Sequence, residues 1–431
     1  MPENLDAWLR LLEYRHHTAI DLGLDRVNEV WQRMGAPRPG QQVFVVAGTN
    51  GKGSTVANIC GLLDGLGYSY GSYTTPHIRV YNERIQLGRR NVSDELLTES
   101  FERIEAVRGE TSLSYFEFGT LAAFDILSRA ELDFAVMEIG LGGRLDAVNL
   151  LDADCTVITP IGLDHQEYLG SDLYSIGREK AGIVRPSVPL VIGESDPPAS
   201  VLEIAHQNDA PVYRYGVEYR VKRRNESDEL RFSMGDTRLE LPFPALPGYH
   251  QFGNTATALA AVLQLLPGAV DRPNALRAGL ESVSLPGRFQ QVGSHPLMWI
   301  DVGHNALGAA VIADTLRRKV ADGECNRVRC VLAMLADKDA ESVALHMDDV
   351  ITQWYTAGLA VDRGQSGEAL AERISGVRPT LAPRVCESVG EAISCAVRDS
   401  ARGDGVLVFG SFFTASEAFQ WLQRTSGEAS T

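Results

Sequence analysis

A glycine-rich octapeptide at residues 48–55, Gly-Thr-Asn-Gly-Lys-Gly-Ser-Thr, constrains this chain more than any other feature. It follows a short β-rich apolar run and precedes an apolar pattern with helical spacing. In that context glycines let several backbone N–H groups point inward, and the helix N-terminus adds positive potential. The strict phosphate-loop pattern fails at Val46 and Gly53. The context nevertheless favours a phosphate-binding loop carrying Lys52 over a glycine-rich turn without a ligand.

Apolar runs of strand length alternate with helical patterns along most of the chain. The strand-like runs lie at residues 43–47, 134–139, 155–159, 299–302, 328–334, 350–357 and 406–410. Helical patterns lie at residues 56–66, 254–266 and 274–283. This alternation predicts an α/β fold with a P-loop-type, mostly parallel sheet and helices on both of its faces. Residues 213–241 are polar, alternating and punctuated by Gly and Asp, which predicts a small antiparallel appendage.

The segment Leu285-Pro286-Gly287 interrupts the pattern, and the strand–helix alternation restarts after it. We therefore predict two domains, residues 1–288 with the phosphate loop and residues 289–431 with a smaller, Rossmann-like α/β sheet. Residues 425–431 are predicted to be disordered.

Composition excludes several classes of function. The chain has 40 Lys and Arg against 56 Asp and Glu, a net charge of −16, so nucleic acid and anionic membranes are poor partners. It contains no apolar stretch of about 18 residues, and its N-terminus lacks the order of a secretory signal. The six cysteines show no Cys-x-x-Cys spacing, which indicates reduced thiols. We expect a cytoplasmic protein.

Charged side chains follow two of the strand-like runs. Glu138 lies where the carboxyl end of a parallel strand faces a ligand crevice, and there it would hold Mg²⁺ beside a triphosphate. An exposed or ion-paired glutamate is the alternative. Asp164 and His165 follow the next run and would converge with Glu138, although Mg²⁺ prefers oxygen ligands and a single histidine is more often structural. Lys180 has the local composition of a lysine on a helix surface.

Taken in order, these motifs resemble the folylpolyglutamate synthase/dihydrofolate synthase family of the Mur ligase superfamily. The resemblance runs from about Leu11 to Thr414. Besides the phosphate loop, it rests on Ile20 to Leu24, Thr75-Pro76-His77, Glu83-Arg84-Ile85, Phe116-Glu117, Glu138 to Asp146, Asp164-His165, Gly177 to Gly182, Pro286 to Phe289, Asp301 with His304-Asn305, and Gly410-Ser411-Phe412.

The resemblance implies an ATP-dependent ligase. A carboxylate takes the γ-phosphate of ATP to give an acyl phosphate, and the amine of L-glutamate displaces the phosphate to form an amide. In bifunctional members the acid is 7,8-dihydropteroate or a reduced folate that already carries glutamate. Mg²⁺, expected as two ions, and Lys52 offset the repulsion between carboxylate and triphosphate.

The resemblance also implies the roles of individual residues. Lys52, Lys180 and His165 would be catalytic. The ATP contacts would be Thr49, Asn50, Gly51, Lys52, Gly53, Ser54, Asn254, Arg288 and Asp301. The metal ligands would be Thr75, Glu138, His165 and Lys180, the last of these as a carbamate. Only the resemblance gives Lys180 this role, against its composition. The role of His304-Asn305 stays open because Gly303 and Ala306 replace the residues usual in the family.

A further set of residues aligns with the dihydropteroate pocket of bifunctional members. The set is Ile20, Asp21, Leu22, Ser114, Tyr115, Phe116, Glu117, Leu145, Asp146 and Ala147. Asp21 would accept N–H bonds from the amide-like edge of a pterin, as a buried carboxylate can. Ordinary helix and loop packing is the alternative for all of them.

Four readings of function remain. The first is the bifunctional ligase, and the second is a monofunctional folylpolyglutamate synthase. A Mur-type cell-wall amino-acid ligase is disfavoured because its UDP-binding domain would need more chain before Gly48. A non-catalytic ATP sensor would keep the loop around Lys52 but would not need Glu138, His165 and Lys180 together. We expect a monomer, since closure of two domains needs no partner.

Overall fold

The structure is a computed structural model. It describes residues 2–16, 18, 21–223, 229–378 and 382–425, and the helical backbone of residues 426–428. The chain forms two compact units. The N-terminal unit comprises Met1–Ala245 and Gln251–Ser284, and the C-terminal unit comprises Leu246–His250 and Leu285–Thr431. The two domains with a boundary after residue 288 stay a prediction.

The helices and strands follow one another in the alternation that the sequence predicts. The α-helices are α1 (Leu5–Arg15), α2 (Asp25–Arg33), α3 (Lys52–Gly65), α4 (Asp94–Arg108), α5 (Tyr115–Arg129), α6 (Gln166–Leu169), α7 (Leu173–Ala181), α8 (Ala199–Gln207), α9 (His250–Leu265), α10 (Pro273–Glu281), α11 (Ala306–Ala321), α12 (Ala340–Met347), α13 (Gly367–Val377), α14 (Val389–Arg398) and α15 (Phe412–Glu428). The strands are β1 (Gln42–Ala47), β2 (Tyr70–Tyr73), β3 (Ile85–Leu87), β4 (Arg90–Asn91), β5 (Phe134–Glu138), β6 (Cys155–Ile158), β7 (Leu190–Ile192), β8 (Val212–Arg214), β9 (Tyr219–Arg223), β10 (Glu229–Met234), β11 (Thr237–Pro242), β12 (Gln290–Ser294), β13 (Leu297–Ile300), β14 (Val328–Leu332), β15 (Ile351–Ala357), β16 (Arg384–Cys386) and β17 (Gly405–Phe409).

A mostly parallel eight-stranded sheet organises the N-terminal unit, in the order β4-β3-β2-β5-β1-β6-β7-β8. Two neighbouring pairs of this sheet are antiparallel, β2 with β3 and β3 with β4. Residues along β1 point alternately to the two faces. Val43 and Val45 belong to one buried cluster, whereas Phe44 and Val46 belong to another. Both faces of the sheet are therefore covered, and the predicted fold class is confirmed.

The predicted appendage is present as an antiparallel three-stranded sheet in the order β11-β10-β9. The prediction started it too early, at residue 213. That residue belongs to β8, which pairs parallel with β7 at the edge of the large sheet.

The C-terminal unit has its own six-stranded sheet, in the order β12-β13-β17-β14-β15-β16. Its strands are parallel except for the pair β12 and β13. The disorder predicted from residue 425 is wrong for residues 425–428, because α15 continues to Glu428. All six cysteines are buried and form no disulfide. None of the helices in the described residues is both long and apolar enough to cross a membrane.

Candidate active site

The carboxyl ends of five parallel strands meet at one edge of the large sheet. Strands β2, β5, β1, β6 and β7 run side by side in the same direction, so the loops that leave them share that edge. The phosphate loop leaves β1, Thr75 follows β2, Glu138 ends β5, and His165 lies beyond β6. Ligands of open α/β sheets bind at such an edge. We call it the candidate site.

One position in the phosphate loop, residue 51, accepts only glycine. Gly51 caps the N-terminus of α3 with a φ of +86°, and a Cβ there would lie 2.7 Å from Asn254 Oδ1. Asn254 is buried and donates from Nδ2 to Gln251 Oε1 at 2.9 Å. Gln251 Nε2 in turn lies 3.4 Å from Ser54 Oγ. The fold therefore brings the predicted ATP residue Asn254 to the loop, together with Gln251, which the sequence reading missed.

Thr49 fastens the phosphate loop to the loop that follows β6. Its backbone N–H donates to Pro160 O at 3.1 Å. Its hydroxyl donates to Gly162 O at 3.1 Å and accepts from Gly162 N–H at 3.0 Å. The neighbouring Asn50 N–H also reaches Pro160 O, at 3.4 Å. Because His165 is three residues beyond Gly162, these bonds couple the phosphate loop to the segment that carries His165.

The side-chain nitrogens of two lysines lie close to one backbone carbonyl in the phosphate loop. Lys52 Nζ lies 3.1 Å from Gly48 O, and Lys180 Nζ lies 2.9 Å from the same oxygen. Lys180 is 4% exposed, so the reading as a surface lysine is wrong. Burial, followed by the positive charge of Lys52, lowers the pKa of Lys180 to about 7. In a large fraction of the molecules the Lys180 side chain is therefore a neutral amine at physiological pH.

Thr75 and Glu138 meet although they are 63 residues apart. The Thr75 N–H donates to Glu138 Oε2 at 3.3 Å, and Glu138 is 4% exposed. His165 adopts a left-handed backbone conformation with a φ of +51° at the start of α6. Its Nε2 lies 3.9 Å from Asp164 Oδ1, and the charge of Asp164 in turn acts on Lys180. Thr75 thus contacts Glu138, and His165 and Lys180 are each coupled to Asp164, while the binding of one metal ion by all four residues stays a prediction.

The donor set suits magnesium rather than a metal that needs a cage of protein ligands. No cluster of three or more His, Cys, Asp or Glu side chains that could hold a metal occurs in the part of the chain that is described. Mg²⁺ does not need one, since it usually keeps several waters and takes one or two carboxylates plus phosphate oxygens. The buried carboxylate of Glu138 beside Thr75 and a phosphate loop supplies that combination.

The loop after β5 is packed against the backbone that carries Lys180. A Cβ on Gly143 would lie 2.7 Å from Glu179 O and 2.9 Å from Lys180 O, so this close approach requires glycine. Asp146 shapes the same loop, accepting from Leu141 N–H at 2.8 Å and Val148 N–H at 2.9 Å. Burial raises the pKa of Asp146 to about 7, against the backbone donors and Lys52, which lower it.

Several residues of the predicted dihydropteroate pocket also have structural partners. Ser114 and Glu117 form a capping box at the start of α5, with Glu117 Oε2 2.7 Å from Ser114 N. Arg26, which the sequence reading missed, bridges Asp21 at 2.9 Å and Glu117 at 3.0 Å. Asp21 also lies 3.1 Å from His16 Nε2, and that hydrogen bond is the main cause of its lowered pKa.

Asp21 is not the buried carboxylate that the sequence reading expected. Its side chain is 27% exposed and already has two cationic or N–H partners. Tyr115, Phe116, Leu22 and Leu145 are half-buried and Ala147 is buried. Phe116 packs on the loop after β5, because a Cβ on Gly140 would lie 2.5 Å from the Phe116 ring. Ile20 lies outside the described residues.

Arg288 and Asp301 belong to the C-terminal unit. Asp301 follows β13 and accepts from Phe289 N–H at 2.8 Å and Gly303 N–H at 2.7 Å. Burial raises the pKa of Asp301, while the charge of Arg288 opposes that shift. The guanidinium of Arg288 lies 5.3 Å from the centre of the Phe412 ring. Contact of either residue with ATP stays a prediction.

Comparisons with known proteins cover both units. The profile of the Mur ligase middle domain matches residues 46–262, and that of the Mur ligase glutamate ligase domain matches residues 287–412. The dihydrofolate synthase/folylpolyglutamate synthase of Escherichia coli K12 is 40% identical over 98% of this chain and 97% of its own length.

Solved structures agree in fold as well as in sequence. FolC from E. coli in complex with DHPP and ADP superposes with a TM-score of 0.91 at 38% identity, over 98% of this chain and 99% of its own. The bifunctional enzyme from Yersinia pestis with AMPPNP and a Mn ion gives a TM-score of 0.88 at 38% identity, over 98% of each chain. This chain therefore belongs to the dihydrofolate synthase/folylpolyglutamate synthase family of Mur ligases.

Proposed function

We propose that this chain is an ATP-dependent ligase that joins L-glutamate to 7,8-dihydropteroate, giving dihydrofolate, and to reduced folates, giving polyglutamates. The observation that carries the proposal is the shared carbonyl of Gly48, which holds Lys52 and a buried Lys180 at the edge where Glu138 and Thr75 meet. A nucleotide sensor needs the loop but has no use for a second, buried lysine beside it.

The phosphate loop binds the triphosphate. The first backbone N–H groups of α3 have no partner inside the helix, so they are available to donate to phosphate oxygens. Lys52 adds a full positive charge, which stabilises the negative charge that develops as the γ-phosphate is transferred. Asn254 and Gln251 fix the floor of this loop from α9.

Thr75, Glu138 and His165 are the residues that would hold Mg²⁺, with Lys180 as a ligand once it carries a carbamate. The ion, when bound, would shield phosphate charge and act as a Lewis acid. The neutral amine of Lys180 is the form that attacks the carbon of CO₂, and loss of one proton then leaves a carbamate anion. Its lowered pKa favours this modification, because an ordinary lysine at pH 7 is almost wholly protonated.

The reaction takes place in two displacements. A carboxylate oxygen of the acid attacks the γ-phosphorus, the bond to the ADP oxygen breaks, and an acyl phosphate forms. The amine of glutamate then attacks the acyl carbon, phosphate leaves, and the amine loses a proton. Holding the acid and the γ-phosphate in line replaces an improbable encounter with a near-attack arrangement.

The acid substrate has an aromatic surface available in the N-terminal unit. Tyr115 and Phe116 are half-buried at the start of α5, and Phe116 contacts the loop that Asp146 shapes. A pterin and an aminobenzoyl ring would both gain from burial on such side chains. We place the reaction in the cytoplasm, because thiols stay reduced there and all six cysteines of this chain are free.

Product analysis tests the proposal. The protein is incubated with ATP, Mg²⁺, labelled glutamate and either dihydropteroate or tetrahydrofolate, and the products are identified by mass. We expect one glutamate on dihydropteroate and further glutamates on tetrahydrofolate. Addition to tetrahydrofolate alone would indicate a monofunctional folylpolyglutamate synthase. A nucleotide sensor would release no ADP that depends on both acid and glutamate, and that result would overturn the proposal.

A further inference from the structure

The turn between β2 and β3 is built around Glu83 and presents the side chain of Arg84. The carboxylate of Glu83 accepts three backbone N–H bonds, from Ile78 at 2.7 Å, Arg79 at 3.1 Å and Val80 at 3.2 Å. Thr74 N–H donates to Arg84 O at 2.8 Å, which closes the turn. The backbone of Arg84 is therefore fixed.

Arg84 is almost completely buried, with 8% of its surface exposed, and aromatic rings surround its charge. Its guanidinium carbon lies 4.9 Å from the centre of the Tyr81 ring and 5.3 Å from that of Tyr115. Nε donates to His77 Nδ1 at 3.0 Å. Rings and a neutral acceptor stabilise a cation only partly, and a buried guanidinium ordinarily has a carboxylate partner.

Arg84 has no carboxylate partner in the part of the chain that the structure describes. Within the described residues, neither terminal nitrogen of Arg84 makes a hydrogen bond, and no Asp or Glu pairs with it. His77 does not supply a negative charge either, because it accepts the Nε hydrogen bond through an imidazole nitrogen. A guanidinium has five N–H donors, so the terminal four remain available for an anion.

The position of Arg84 limits which anion that is. Thr74, whose N–H bonds to Arg84 O, directly precedes Thr75, and the Thr75 N–H lies 3.3 Å from Glu138 Oε2. Tyr115, which covers the guanidinium, begins the same helix as Phe116. Arg84 is thus attached to the strand end that carries the candidate site and touches the aromatic surface proposed for the acid.

We propose that Arg84 binds the carboxylate of the acid substrate and holds it for attack on the γ-phosphorus, an inference that rests on the proposed function. A guanidinium matches the planar geometry of a carboxylate. Contact through one carboxylate oxygen leaves the other free to attack. Arg84 is then a determinant of specificity, because it selects ligands that end in an acid.

The test compares two ligands on two proteins. The ligands are dihydropteroate and its analogue in which hydrogen replaces the carboxyl group, and the proteins are the wild type and Arg84→Gln. Affinities are measured by calorimetry with ADP and Mg²⁺ present. We expect the wild type to prefer dihydropteroate by about ten- to a hundredfold and Arg84→Gln to bind the two ligands within about threefold of each other. A preference in Arg84→Gln equal to that of the wild type would overturn the inference.

Controls separate binding from folding. Arg231→Gln removes an arginine that is paired with Glu240 on the appendage, and it should keep the wild-type preference. Unchanged ADP affinity shows that Arg84→Gln is folded. If Arg84→Gln does not bind ADP, the same two ligands are measured on Arg84→Lys. A preference for dihydropteroate that is at least about threefold smaller than in the wild type supports the inference. An unchanged preference refutes it. Failure of the wild type to ligate dihydropteroate would instead refute the proposed function.

Discussion

Replacing Lys180 with methionine should make the protein more stable and inactive. The pKa of Lys180 is about 7 in the folded state instead of the ordinary 10.5. Keeping the ammonium charged therefore destabilises the folded state by about 5 kcal/mol. Methionine fills a similar volume without charge, and Gly48 O keeps Lys52 as a donor at 3.1 Å. After about 1 kcal/mol for the lost hydrogen bond, we expect Lys180→Met to gain about 2 to 4 kcal/mol of unfolding free energy at pH 6.5.

The pH dependence gives a second signature of the same effect. Because the folded pKa of Lys180 is lowered, the unfolded chain holds more protons than the folded chain between about pH 7 and pH 10.5. Its contribution to stability therefore rises with pH through that window, whereas below pH 7 both states are protonated and the penalty is constant. Between pH 6.5 and pH 9 the free energy of unfolding of the wild type should rise by about 2 to 3 kcal/mol relative to that of Lys180→Met.

Urea unfolding followed by circular dichroism measures both effects, in CO₂-free buffer without nucleotide so that Lys180 carries no carbamate. Lys222→Met is the matched control, because Lys222 is exposed on β9 and should give no pH-dependent difference. Ligase activity is assayed separately and should be lost only in Lys180→Met. A Lys180→Met protein less stable than the wild type at pH 6.5, or a difference that does not shrink by pH 9, would refute the reasoning.

Three further substitutions test the candidate site. Lys52→Ala should weaken ADP binding about ten- to a hundredfold in calorimetry, since a charge-assisted contact is worth about 1.5 to 3 kcal/mol; an unchanged affinity would exclude Lys52 from the phosphate site. Glu138→Gln should raise the Mg²⁺ concentration for half-maximal ligation at least about tenfold, and an identical Mg²⁺ titration would remove Glu138 from the ligand set. Gly143→Ala places a Cβ 2.7 Å from Glu179 O and should lower the free energy of unfolding in urea by about 1 to 3 kcal/mol, and an unchanged value would show that this close contact does not require glycine.

Local patterns predicted the main elements because their signals are contained in short stretches of sequence. The strand at β1, the glycines of residues 48–55 and the helix α3 follow directly from apolar runs and turn residues. The edge strand β8 was assigned to the wrong sheet, because three residues carry no information about which neighbour they pair with.

Local sequence likewise predicts some residues of the candidate site, whereas others are recognised only from the fold. Glu138 is found from its place at the end of an apolar run, whereas the burial of Lys180 depends on the backbone of Gly48, 132 residues away. Composition around Lys180 is that of an exposed helix, and only the family resemblance contradicted it. Gln251 and Arg26 escaped notice because each acts through partners that are remote in the sequence.

The amino-acid sequence alone determined the class of fold, the phosphate loop and the family, since these depend on residue order over short spans. Only the tertiary structure decided the electrostatics. It buried Lys180 beside Lys52, raised the pKa of Asp146, and left the guanidinium of Arg84 among aromatic rings. Charge and pKa respond to distance and burial in space, and neither is encoded in the spacing of residues along the chain.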